Sequence, residues 1–85
     1  MKEVAKMLKS LGPHYSLKWE WFFDYDPVIR MELTYFNPMT QMIFKCDQKF
    51  PQEALNNTDG RFGSQVLDDM ARKINDKVKE YWRDK

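Results

Sequence analysis

One cysteine, one histidine, three glycines and a net charge of +1 leave this 85-residue chain poorly equipped for several kinds of chemistry. A lone Cys46 excludes an intrachain disulfide and fits a reducing compartment. His14 and Cys46 could form a catalytic dyad only if both reached one open cleft from distant points of the chain, and Cys46 has the parity of a core residue. Gly60-Arg61-Phe62-Gly63 is no phosphate loop, because it lacks a Lys-Ser/Thr ending and no strand leads directly into it. The charge balance provides no strong field to draw in nucleic acid or an anionic membrane. No apolar run approaches the ~18 residues of a membrane span, and the first eleven residues are too short and too charged for an export signal. The expectation is a cytoplasmic protein without membrane association, in which the sequon Asn56-Asn57-Thr58 is simply loop.

Aromatic residues are plentiful: three tryptophans, four tyrosines and six phenylalanines, alongside six methionines. A chain of this size forms one domain, here residues 1–85, and buries only about 60–65% of its unfolded surface. Large rings compensate by supplying much apolar area per residue ordered.

The clearest pattern is an alternation of period two. Tyr15, Leu17, Trp19, Trp21 and Phe23 share one parity, against Ser16, Lys18 and Glu20. After Asp24-Tyr25-Asp26-Pro27 it resumes with Ile29, Met31, Leu33 and Tyr35 against Arg30, Glu32 and Thr34. Alternation of this kind places one set on a buried sheet face and the other outside. It predicts strands over 15–23 and 28–36, a turn at Asn37-Pro38-Met39-Thr40, and a third strand over 41–47 with Met42, Phe44 and Cys46 inward. Before them, Val4, Met7, Leu8 and Leu11 form one stripe of a short helix ended by Gly12-Pro13. After them come one helical turn starting at Pro51 and a loop over 56–63. A long helix follows, with Ser64 as N-cap and a stripe of Val66, Leu67, Met70, Ala71, Ile74, Val78, Tyr81 and Trp82. The fold class is α+β: a three-stranded antiparallel meander in order 1-2-3 with both helices on one face.

Charge predicts register. Pairing Trp19 with Met31 sets Glu20 opposite Arg30 and Lys18 opposite Glu32, whereas a slip of two residues sets Glu20 against Glu32. For the second hairpin, pairing Leu33 with Phe44 sets Glu32 opposite Lys45 and Arg30 opposite Asp47. Phe22, Val28 and Phe36 share the outer parity of these charges, and Tyr25 and Met39 sit in the turns. A mixed-charge surface edged by apolar anchors suits a protein partner, since rings supply affinity and charges set orientation. The candidate partner-binding residues are Glu20, Phe22, Tyr25, Arg30, Glu32, Phe36 and Met39.

Asp24 and Asp26 could offer oxygens to a hard metal, but with no further carboxylates at fixed spacing they read as a turn. No catalytic, cofactor-binding or metal-ligating residue is expected.

The order helix–three strands–helix resembles that of double-stranded-RNA-binding domains. Those domains carry a basic cluster at the start of the last helix. Here that region holds Gln65, Asp68 and Asp69, and Gly12-Pro13-His14 echoes a motif of that family before the first strand, not between the first two. The first expectation is therefore a small non-enzymatic module, an inhibitor or adaptor that occupies a partner protein, with a nucleoprotein among the candidate targets. In size, lack of motifs and lack of an export signal it is similar in class to inhibitors encoded by phages and mobile elements, anti-CRISPR proteins among them. A nucleic-acid-binding domain is the second expectation and a small enzyme or enzyme subunit the third. An open strand edge leaves either a monomer or a homodimer paired through that edge.

Overall fold

The computed structural model describes residues 2–23 and 25–83. Helix α1 (Lys2–Leu11) is followed by strands β1 (Tyr15–Phe23), β2 (Pro27–Asn37) and β3 (Met42–Pro51), a short helix α2 (Gln52–Asn57) and the long helix α3 (Arg61–Arg83). The strands form one antiparallel sheet in order β1-β2-β3. This is the expected α+β arrangement of a meander between two helices, and the helical turn expected at Pro51 is present as α2, six residues long with Pro51 as its N-cap.

The core lies between the inner sheet face and the helices. Central β2 contributes Ile29, Met31, Leu33 and Tyr35, all buried, because a middle strand is shielded by a neighbour on each side. Helix α3 adds Val66, Leu67, Met70, Ala71 and Ile74, α1 adds Val4, and α2 adds Leu55. Trp19 is half-buried and packs against this cluster, as its parity requires.

Gly12 ends α1 at φ +100, a conformation that costs glycine little, and its N–H donates to Lys9 O. At the other end of the chain, Thr58 joins two helices. Its hydroxyl donates to Ala54 O at 2.8 Å and accepts from Phe62 N at 2.9 Å. That contact starts α3 at Arg61, three residues before the expected N-cap, so Ser64 lies inside the helix and bonds back to Arg61 O. The expected loop over 56–63 is accordingly the end of α2, a tight turn and the first turn of α3. The early start places Phe62 edge-on to Phe50, with centroids 5.2 Å apart, and packs its partly buried ring against the core.

The β1–β2 register is the expected one, with Trp19 opposite Met31, Glu20 opposite Arg30 and Lys18 opposite Glu32. The β2–β3 register is not. Leu33 faces Cys46, Tyr35 faces Phe44, Glu32 faces Asp47 and Arg30 faces Lys49. The charge-based pairing would have closed the hairpin through a two-residue loop, Pro38-Met39. Such loops need a positive φ at the first position, and proline is held near −65°. The chain instead pairs Asn37 with Met42 across a four-residue loop, in which Gln41 takes φ +61 and its N–H donates to Asn37 O at 2.7 Å. Asn37 Oδ1 accepts from Met39 N, a local turn that asparagine favours. The third strand consequently runs to Pro51, not to Asp47, and Cys46 lies opposite Leu33.

A second correction concerns the last inward residues of β1. Trp21 and Phe23 have the inward parity but are 46% and 72% exposed. Helix α2 seats on β2 and β3, leaving Trp21 beside an open cleft of about 350 Å³ lined also by Leu55, Asn56 and Asp59. Trp82, counted in the apolar stripe of the last helix, is also exposed, edge-on to Tyr81.

Candidate protein-binding surface

The outer sheet face is built by the residues that β-strand pleating turns away from the helices. Its cross-strand rows run Phe22–Val28–Pro51, Glu20–Arg30–Lys49, Lys18–Glu32–Asp47, Ser16–Thr34–Lys45 and Phe36–Ile43. Both long helices pack on the opposite side, and Phe22, Phe36 and Ile43 remain exposed. Charges fill the middle of this face and apolar side chains occupy its ends.

Arg30 organises the middle. Its Nη1 donates to Glu20 Oε1 at 2.9 Å, its Nη2 to Glu32 Oε2 at 2.7 Å and its Nε to Asp47 Oδ2 at 2.9 Å. Three carboxylates thus surround one guanidinium, and Lys18 adds a second cation 3.4 Å from Glu20. Hydrogen bonds to Glu32, then to Asp47, raise the Arg30 pKa above its ordinary value. The cluster also explains how β2 and β3 tolerate Glu32 directly opposite Asp47, a pairing of like charges that costs stability when left alone. A guanidinium presents its donors as a planar fork, so one side chain satisfies all three acceptors at once.

The apolar ends differ. At the β1–β2 tip, Trp21, Phe22, Phe23 and Tyr25 are all exposed, Tyr25 completely, and Lys49 Nζ sits 5.1 Å from the Phe22 ring centroid. At the other end, Phe36, Ile43 and the fully projecting Met39 stand together near the β2–β3 turn. About 26 Å of strand separates the two ends, at ~3.3 Å per residue from Val28 to Phe36. The structure therefore brings Glu20, Arg30 and Glu32 into one cluster and divides the ring anchors into two groups, Phe22 with Tyr25 and Phe36 with Met39. Ile43 and Asp47 join the surface without having been singled out, while Trp21 and Phe23 are exposed at the same tip but belong to the opposite face. Ile43 carried the outward parity all along, whereas the exposure of Trp21 and Phe23 depends on how far the helices reach.

Little on this face suggests bond-making chemistry. His14 is exposed and edge-on to Tyr35 at 5.8 Å, while Cys46 is half-buried on the inner side opposite Leu33. Among the described residues, no group of three or more His, Cys, Asp or Glu side chains is placed to hold a metal ion. Asp24, half of the acidic pair considered for a metal, lies outside the described residues. Among the described residues, no helix is long and apolar enough to cross a membrane. A second groove, about 470 Å³, runs between the end of α1, the start of β1 and α3, lined by His14, Tyr15, Tyr35, Asp68 and Arg72. Burial, then the neighbouring Tyr35, raises the Tyr15 pKa.

No family model matches the chain, and neither the curated proteins nor the solved structures contain a significant match to it.

Proposed function

We propose that this protein is a binding module that acts by occupying a partner protein, as an inhibitor or adaptor, through its outer sheet face and the two turns at its ends. The observation that carries this reading is the concentration of exposed rings at the ends of a sheet face that, among the described residues, no helix covers. Exposed apolar clusters rimmed by polar groups mark interaction sites, and aromatic side chains supply most of the affinity at protein interfaces. The charged middle supports the same use. The guanidinium of Arg30 is already held by three acceptors, so the cluster is fixed before any partner arrives and orients it without a further ordering cost.

Nucleic acid fits this surface less well. Cations and carboxylates alternate along it, which leaves few phosphate contacts and little counterion release. The start of α3 presents Arg61 alone, and Asp68 in the following turn is paired with Arg72 at 2.9 Å.

The test is affinity capture from a lysate of the native host, with and without nuclease, paired with titrations against duplex RNA and single- and double-stranded DNA at low salt. One stoichiometric protein that resists nuclease, with weak and sequence-blind nucleic-acid binding, is the expected outcome. Submicromolar, salt-sensitive binding to any of the nucleic acids, with no protein recovered, would replace this reading with the nucleic-acid one.

A further inference from the structure

The free edge of β1 carries a pattern that matches itself when turned around. Phe36 N donates to His14 O at 2.8 Å, so these two form a hydrogen-bonded pair. The register then continues unbroken through Phe23 opposite Pro27, and hydrogen-bonded pairs alternate along it. The even residues of β1 therefore direct their N–H and C=O groups to β2. Tyr15, Leu17, Trp19, Trp21 and Phe23 direct theirs to the open side. β1 contains neither proline nor a break in register, two guards of an exposed edge, its one lysine, Lys18, is 3.4 Å from Glu20, and its Trp21 and Phe23 rings remain uncovered.

We propose that β1 pairs antiparallel with β1 of a second copy about a two-fold axis at Trp19, joining two three-stranded sheets into one of six strands. Trp19 is the midpoint of β1, so this register uses the whole strand and makes about ten ladder hydrogen bonds, two for each pair of outward-directed residues. It sets Lys18 opposite the partner's Glu20, and Glu20 opposite the partner's Lys18. Both pairs fall at non-hydrogen-bonded positions, where facing side chains lie closest. Leu17 faces the partner's Trp21 and Tyr15 faces the partner's Phe23, so each exposed ring gains an apolar neighbour. Moving the axis by one residue places either two copies of Lys18 or two copies of Glu20 face to face. Moving it by two separates the opposite charges and shortens the ladder. β3, the other edge, has less to gain: Met42 and Phe50 are already buried, Lys45 and Lys49 are exposed along it, and Pro51 closes it. The dimer rests on the β1 edge and stands whether or not the outer face binds a partner.

Sedimentation velocity over a concentration series, with the variants Lys18→Glu and Glu20→Lys, tests the register. Wild type is expected to dimerise, and each folded variant alone to dimerise about tenfold more weakly, because like charges then face each other twice per dimer. An equimolar mixture of the two variants is expected to recover the dimer as a heterodimer. One chain is then acidic at both positions and the other basic at both, so opposite charges face each other in both pairs. Wild type that stays monomeric overturns the proposal, as does a dimer that neither variant weakens or that mixing fails to restore. Amide hydrogen exchange on wild type gives a measurement independent of the variants. Leu17, Trp19 and Trp21 amides should gain protection as concentration rises, and protection gained at Ile43, Lys45 and Asp47 instead would move the interface to β3 and refute the proposal.

Discussion

Arg30 Nε donates to Asp47 Oδ2 at 2.9 Å along a diagonal, because Lys49, not Asp47, stands directly across the ladder from Arg30. The same guanidinium holds Glu20 and Glu32, so it is the cation on which three carboxylates converge. Replacing it by a neutral side chain, Arg30→Gln, leaves those carboxylates facing one another without the guanidinium that bonds all three, while Lys18 remains 3.4 Å from Glu20 and Lys49 stays in the same cross-strand row. The variant is expected to be less stable than wild type in urea, by a margin that shrinks as sodium chloride is added and repulsion is screened. A margin unchanged by salt would mean that Arg30 acts through the packing of its aliphatic stem.

Two tryptophans on the same strand and of the same parity should behave differently. Trp19 packs on the core, and Trp19→Ala is expected to cost about 3 kcal/mol. Trp21 is half open to solvent beside the α2 cleft, and Trp21→Ala should cost about 1 kcal/mol or less. Urea denaturation of both variants checks the contrast, and equal losses would contradict the placement of α2.

Gly63 of α3 faces Val4 of α1 and Leu55 of α2. A Cβ there would lie 3.0 Å from Leu55 Cδ2 and 3.2 Å from Val4 Cγ2, both on buried side chains. Alanine ordinarily stabilises a helix interior by roughly 0.5–1 kcal/mol over glycine. Here overpacking should outweigh that gain and leave Gly63→Ala about 1 kcal/mol less stable. A stabilised variant would show that Leu55 and Val4 can move aside.

The raised Tyr15 pKa predicts a dependence on alkaline pH. The unfolded chain releases this proton near pH ~10, while the folded protein holds it to a higher pH. The contribution is therefore intact below about pH 10 and is lost as pH rises through the folded value. Stability measured across that interval should fall less steeply in Tyr15→Phe than in wild type. Parallel curves would place the Tyr15 hydroxyl in solvent.

Much of this architecture was legible in residue order, for reasons that differ by element. In β1 and β2 the alternation of rings and charges leaves one register in which Glu20 meets Arg30 and Lys18 meets Glu32, and that register is present. In the second hairpin the same charge rule favoured a pairing that Pro38 forbids. Arg30 is long enough to reach Asp47 in either register, so the ion pair itself did not discriminate. The start of α3 was obscured because Gly60 and Gly63 resemble loop residues. Only Gly60 has the positive φ of a turn, whereas Gly63 is helical and small for reasons of packing. Period-two patterning identifies the face a side chain belongs to but not the extent of its cover, which is why Trp21 and Phe23 carry an inward parity and lie open. Of the surface residues, the cluster of Glu20, Arg30 and Glu32 followed from parity and register, and the split of its ring anchors into two ends followed only from the length of the strands.

The most direct test of the central claim is to compare, in one capture experiment, wild type with Tyr25→Ala and Phe36→Ala. Both side chains are exposed, at opposite ends of the outer face, so neither change should disturb the fold. Wild type is expected to retain one nuclease-resistant protein at fixed stoichiometry. Each variant, shown to be folded by its far-ultraviolet spectrum, should bind that protein at least about tenfold more weakly. Undiminished binding by both variants would place the contact surface elsewhere on the molecule and contradict the account.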